Sequence, residues 1–152
     1  MALDDTIAIL SQTPLIGLLE RDALRLIAFT ADTRRLRPSE VLFRQGERSD
    51  GGYVVVEGEI AAGRSGSDEL TLVGPGSLIG RLALFLRIQR PASAIARSRS
   101  YLVRISPTLM RRVLVEFPSA AVAIRDAVAE DLEALGGDLA KVQALFESID
   151  AG

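Results

Sequence analysis

The chain contains no cysteine and no histidine. Without thiols or imidazoles it cannot form disulfides, iron–sulfur clusters, histidine-ligated haem or most zinc sites. It also lacks thiol nucleophiles and the commonest general base. Carboxylate catalysis remains available, but no pair of acidic residues stands in a sequence setting that suggests it. We therefore expect no enzymatic activity, no cofactor and no metal.

Long hydrophobic runs and an excess of positive charge are also missing. No apolar stretch approaches the length of a membrane span, and Asp4 and Asp5 occupy the place of a basic leader. The net charge of −2 argues against general nucleic-acid binding. The 152 residues are 48% apolar and 25% charged. These values predict a single globular domain over residues 1–152, located in the cytoplasm.

The hydrophobic period changes twice along the chain. Helical spacing over 4–30 gives way to short, glycine-punctuated β-type runs over 31–106, and helical spacing returns over 107–147. Residues 80–86 interrupt the β region with good helix formers, which predicts a short helix there. The pattern is typical of a mainly β protein with flanking helices, namely an antiparallel jelly roll with N-terminal helices and a long C-terminal helix.

The C-terminal segment carries an apolar seam at alternating spacings of four and three. Such a seam forms either a homodimeric coiled coil or the face of a helix packed on its own barrel. We favour the dimer, with an interface formed by Val128, Leu132, Leu135, Leu139, Val142 and Phe146.

An ordered series of four segments resembles the cyclic nucleotide-binding domain family. The resemblance covers about Pro14 to Leu135, and each segment is weak alone but strong in series. The first three are similar to a strand ending on a glycine, a central hairpin and the approach to the phosphate-binding cassette; they are Val41–Glu47, Tyr53–Ile60 and Gly74–Gly80. The fourth resembles the cassette itself, Gly80–Leu84 followed at the family's spacing by Arg90–Ser93.

The resemblance implies a phosphate site. A glycine that opens a short helix lets first-turn amides approach a phosphate, and a guanidinium ten residues later offers two charge-assisted hydrogen bonds. From the residues alone, Arg90 could instead be an exposed loop arginine, and Ser93 could face solvent or bond to backbone. The ligand-binding residues implied are Gly80, Arg81, Leu82, Ala83, Arg90, Pro91, Ala92 and Ser93.

Three positions depart from the family pattern. In the family a glutamate follows the cassette glycine and accepts a hydrogen bond from the ribose 2′-hydroxyl, whereas Arg81 stands here. Loss of such a bond costs about 1.5–3 kcal/mol, or roughly 10- to 150-fold in affinity. Pro91 offers no amide next to the cassette arginine. Ser39 replaces a frequent turn glycine and concerns the scaffold only. Arg81 itself could contact an anion, pair with an internal carboxylate or stay solvated.

Three functions are compatible with these features. The first is a sensor that binds cyclic AMP, cyclic GMP or a related phosphate ligand in the β-roll and signals through its C-terminal helix to a downstream protein. The second is a diverged module that has lost the ligand and serves protein–protein interaction or dimerisation. The third, a DNA-binding regulator, is least expected, because the net charge is negative and the chain ends at Gly152, before a helix-turn-helix could follow. We favour the first.

Overall fold

The computed structural model describes residues 2–135. Four α-helices flank eight strands. The helices are α1 (Leu3–Gln12), α2 (Arg21–Thr30), α3 (Pro107–Glu116) and α4 (Ala121–Leu135). The strands are β1 (Asp32–Leu36), β2 (Val41–Phe43), β3 (Gly52–Glu57), β4 (Ile60–Gly63), β5 (Thr71–Val73), β6 (Leu78–Ile79), β7 (Ser93–Ala96) and β8 (Ser100–Ile105). Single 3₁₀ turns lie at Ile16–Leu18, Leu82–Leu84 and Pro118–Ala120.

The eight strands form two four-stranded sheets. One has the order β1-β8-β3-β6 and the other β2-β7-β4-β5, and every strand pair is antiparallel. Neighbouring strands are often distant in sequence, as is usual where two sheets are wound together into a jelly roll. The predicted antiparallel jelly roll with flanking helices is confirmed, whereas the long C-terminal helix stays a prediction.

The sheet that contains β3 separates two hydrophobic cores. Tyr53 and Val55 face the interior of the roll, whereas Val54 and Val56 face the helices. Because β3 is buried on both faces, its sequence is a continuous apolar run rather than an alternating one. The helix-side core also includes Leu84 and Phe85 of the inserted turn. That turn is therefore in the same core as the flanking helices.

The return to helix after the roll has a local cause. Pro107 occupies the first turn of α3, and the Ser106 hydroxyl accepts a hydrogen bond of 3.1 Å from the Leu109 amide. A serine cap followed by proline is a strong helix start. Proline at 118 then separates α3 from the next helical segment.

The seam predicted as a dimer interface falls only partly within the described residues. Val128 is fully buried in the core of its own domain. Leu132 and Leu135 belong to α4, and the remaining predicted interface positions, Leu139, Val142 and Phe146, lie outside the described residues. The homodimer stays a prediction.

The inserted helix is shorter than the predicted 80–86. Gly80 has φ of +81°, outside the helical region, so the turn cannot begin there. The amides of Ala83 and Leu84 donate to carbonyls three residues earlier, at 3.1 and 3.2 Å, which makes the turn 3₁₀. Phe85 ends it with φ of −120°. A single 3₁₀ turn therefore stands where the sequence predicted a helix of two turns.

Candidate functional site

A cleft of about 510 Å³ opens beside the inserted turn. Its walls come from the end of β2, the segment 79–82 and the segment 88–92, which lie side by side although they are distant in sequence. The lining residues are Phe43, Ala62, Ile79, Gly80, Arg81, Leu82, Ile88, Arg90, Pro91 and Ala92. The volume is within the usual range for a small-molecule site.

Arg90 is the buried cation of this cleft. Only 3% of the residue is exposed. Its Nη2 donates to Asp50 Oδ1 at 3.0 Å and to the Gly51 carbonyl at 2.8 Å. Its Nε is buried and has no hydrogen-bond partner within the described part of the chain. A buried donor without a partner is rare, because its desolvation is not compensated.

A backbone ladder fixes the position of Arg90. The Arg90 amide donates to the Glu47 carbonyl at 2.8 Å, and the Arg90 carbonyl accepts from the Gly46 amide at 2.8 Å. Two residues earlier, Ile88 exchanges hydrogen bonds with Ser49, whose hydroxyl accepts from the Ile88 amide at 2.9 Å. The loop 46–50 therefore holds the segment 88–90 from one side and brings Asp50 to the guanidinium.

Two aromatic rings enclose the same guanidinium. Its Cζ lies 4.0 Å from the centroid of the Phe43 ring and 5.7 Å from that of Tyr53. The Tyr53 hydroxyl also lies 3.1 Å from Asp50 Oδ1. Burial lowers the pKa of Arg90, although the charges of Asp50 and Tyr53 oppose the effect. Burial also raises the pKa of Tyr53, and Asp50 adds to this.

Gly80 approaches Arg90 closely. A Cβ atom built at position 80 would lie 2.9 Å from Arg90 Nη1, and φ at this residue is +81°. Both the backbone conformation and the contact with the guanidinium therefore require glycine.

Asp50 extends the polar cluster towards the helices. The Arg104 Nη1 donates to the Asp50 carbonyl at 2.9 Å and lies 3.8 Å from Asp50 Oδ2. Arg104 Nη2 pairs with Asp32, and this hydrogen bond is the main reason that the pKa of Arg104 is raised. A charge chain thus runs from Arg90 through Asp50 and Arg104 to the start of β1.

The structure brings together most of the residues predicted for the ligand site. Six of them line the cleft: Gly80, Arg81, Leu82, Arg90, Pro91 and Ala92. Ala83 lies beneath it, fully buried, and its amide is engaged by the Gly80 carbonyl. Ser93 does not line the cleft. Its hydroxyl accepts from the Gln45 amide at 2.8 Å, and the residue borders a separate groove on the outer face of its sheet.

Sequence reasoning missed Asp50, Phe43 and Ile88. Asp50 and Arg90 are 40 residues apart, and Asp50 stands in a segment that was assigned only as a turn. Phe43 was recognised as a strand residue, and its contact with Arg90 depends on the pairing of β2 with β7. The Asp-Gly-Gly sequence before β3 signalled a turn, but nothing in it signalled a guanidinium partner.

An antiparallel β-roll with flanking helices and an arginine-bearing cleft places the chain among β-roll sensor-type domains. The family described as the cyclic nucleotide-binding domain matches residues 33–117, which is more than half of the chain. The chain belongs to this family.

Solved structures agree with this assignment. A cyclic nucleotide-binding-like protein from Brucella abortus is 35% identical, with a TM-score of 0.66 over 73% of this chain and 98% of that one. The N-terminal domain of a transcriptional regulator from Streptomyces coelicolor is 28% identical, with a TM-score of 0.75 over 84% of this chain and 92% of that one.

Curated relatives carry the similar segment within longer proteins. A CRP-like cAMP-activated global transcriptional regulator of Mycobacterium tuberculosis is 25% identical over 122 residues, which are 74% of this chain and 54% of the regulator. A lysophospholipase of Phaeosphaeria nodorum is 27% identical over 74% of this chain, but only 8% of that enzyme is covered. The chain therefore spans about half the length of the first relative and far less of the second. No helix among residues 2–135 is long and apolar enough to cross a membrane.

Proposed function

We propose that the chain is a regulatory domain that binds a cyclic nucleotide or a related phosphate ligand in the cleft beside Gly80. The observation that carries this proposal is the burial of the Arg90 guanidinium beside the cleft. The guanidinium is 3% exposed, lines the cleft and keeps a buried Nε without a hydrogen-bond partner among the described residues. A phosphate oxygen at this point would supply the missing acceptor and a charge partner.

The charges of the cleft support an anionic ligand. Two guanidinium groups, of Arg81 and Arg90, line it, and no carboxylate does among the described residues. Asp50 reaches Arg90 from outside the lining, and its side chain is 54% exposed. Because water screens an exposed carboxylate, the pair leaves Arg90 able to attract a further anion.

The packing of the inserted turn suggests how a bound ligand would be signalled. Leu84 and Phe85 follow the Gly80 turn directly and share the helix-side core with Met110 of α3 and Val128 of α4. A shift of the turn on ligand binding would require these helices to repack, since close-packed cores tolerate few voids. We propose that the C-terminal helix carries the signal to a downstream protein in the cytoplasm.

Calorimetric titration with cyclic AMP, cyclic GMP and cyclic dinucleotides tests the proposal. We expect the wild type to bind at least one of these nucleotides. Arg90→Ala should lower the affinity 100-fold or more, because the main charge partner of the phosphate is removed. Arg87→Ala is the matched control, since Arg87 is exposed, close in sequence and absent from the cleft. Its affinity should equal that of the wild type. Equal binding by wild type and Arg90→Ala would show that the site is wrong.

One observation favours a second candidate function. Asp50 and the Gly51 carbonyl accept two hydrogen bonds from Arg90 within the domain itself. Such internal pairing would keep the guanidinium in place in a domain that has lost its ligand and acts as an interaction or dimerisation module. Sedimentation at micromolar concentration should then show a homodimer, and Leu135→Arg should give monomers, because a charge would be buried in the seam. An unchanged dimer in that variant would exclude this interface.

A further inference from the structure

Apart from its two arginines, the side chains that line the cleft among the described residues are apolar. Apart from Gly80, Arg81 and Arg90, the cleft is lined by Phe43, Ala62, Ile79, Leu82, Ile88, Pro91 and Ala92. Among the described residues that line it, no serine, threonine, asparagine, glutamine, aspartate or glutamate side chain is present. The cleft therefore offers positive charge for an anion and hydrophobic surface for whatever the anion is attached to.

Two main-chain carbonyls near the charged end already accept one hydrogen bond each from within the domain. The Gly80 carbonyl accepts from the Ala83 amide at 3.1 Å, and the Arg90 carbonyl accepts from the Gly46 amide at 2.8 Å. A ligand hydroxyl that enters this cleft would lose its hydrogen bonds to water and find no side-chain acceptor in return. Such a loss disfavours hydroxylated ligands relative to their deoxy counterparts.

These observations describe a ligand class. We propose that the cleft is selective for a monoanion with an apolar body, such as an aryl or alkyl phosphodiester, over an anion that carries a ribose hydroxyl. This inference rests on the proposed function, because it assumes that Arg90 binds the anionic group. It specifies what the rest of the cleft selects.

Two matched pairs of ligands test the inference by calorimetry. Cyclic AMP and 2′-deoxy-cyclic AMP share the phosphodiester and differ by a single hydroxyl. The deoxy compound should bind at least as tightly, by a factor between one and about ten. Diphenyl phosphate and dimethyl phosphate share the charge and differ in apolar surface. Diphenyl phosphate should bind about tenfold tighter or more, because its rings bury hydrophobic area.

Variants separate the charge from the apolar wall. Ile88→Thr keeps the β-branch but removes apolar surface from a residue that is half-buried, lines the cleft and lies outside both hydrophobic cores. This variant should lower the affinity for diphenyl phosphate several-fold and leave the affinity for dimethyl phosphate unchanged. Arg90→Ala should abolish the binding of both.

The outcomes distinguish the inference from the proposed function. If cyclic AMP binds through Arg90 and clearly tighter than both 2′-deoxy-cyclic AMP and diphenyl phosphate, the proposed function stands and the apolar selectivity is wrong. If none of the four anions binds the wild type, the proposed function itself is wrong and the inference falls with it.

Discussion

The two ends of the cleft are built differently. At one end Arg90 is buried, stacked at 4.0 Å on the Phe43 ring and bonded to Asp50 and Gly51, while its backbone is tied to the loop 46–50. At the other end Arg81 is exposed at the start of a single 3₁₀ turn. The first end has its geometry fixed by several elements, whereas the second lies at the exposed beginning of one short turn.

This difference separates two properties of a binding site. A charge held in one position by buried contacts binds an anion with little loss of side-chain entropy, so the Arg90 end should set whether an anion binds. An exposed side chain at the rim can change without disturbing the core, so position 81 should set which anion is preferred. The variants below test this division of roles.

Beyond the loss already expected for Arg90→Ala, the largest effect is expected at Gly80. In Gly80→Ala the new Cβ would lie 2.9 Å from Arg90 Nη1, and alanine would be held at φ of +81°. The left-handed backbone should cost about 1–2 kcal/mol of stability, and displacement of the guanidinium should weaken anion binding 10- to 100-fold. Calorimetry and thermal unfolding measure the two effects.

Gly76→Ala is the control for this prediction. Gly76 has a similar φ of +87°, but no atom lies within 4 Å of the position that a Cβ would occupy. It should lose comparable stability and retain anion binding. If both variants lose binding equally, the contact between Gly80 and Arg90 does not determine the affinity.

The same comparison shows how far the sequence could predict this site. Gly80 and Arg90 were found because their residue types and spacing are local features, and the short β-type runs predicted the roll for the same reason. The Asp50–Arg90 pair could not be found, because it arises from pairing between two loop segments 40 residues apart. The position of Ser93 beside a separate groove could not be predicted either, because it depends on the pairing of β7 with β4, in which Ser93 lies opposite Gly63.

A smaller effect is expected at position 81. Arg81→Glu introduces a carboxylate at the rim of the cleft, where it can accept a hydrogen bond from the 2′-hydroxyl of cyclic AMP. We expect the affinity for cyclic AMP to rise about tenfold or more and that for 2′-deoxy-cyclic AMP not to rise. Arg87→Glu makes the same charge change outside the cleft and should raise the affinity for neither nucleotide. If Arg81→Glu raised the affinity for both nucleotides equally, position 81 would not determine ligand preference.

The smallest effect concerns a serine in the left-handed conformation that does not line the cleft. Ser39 has φ of +72° in the turn in which the Glu40 amide donates to the Arg37 carbonyl at 3.1 Å. Pro38 precedes it, so Ser39 occupies the position of a type II turn that favours glycine. Relief of the left-handed strain gains about 1–2 kcal/mol, whereas glycine loses about 0.4–1 kcal/mol through the greater entropy of the unfolded chain. Ser39→Gly should therefore stabilise the protein by roughly 0.5–1 kcal/mol in urea unfolding and leave anion binding unchanged.

Ser65→Gly is the control, because Ser65 is also exposed and its φ is not positive, so this variant should be neutral or slightly less stable. If both serine variants lost stability, the strain at Ser39 would be too small to outweigh the entropy of the unfolded chain.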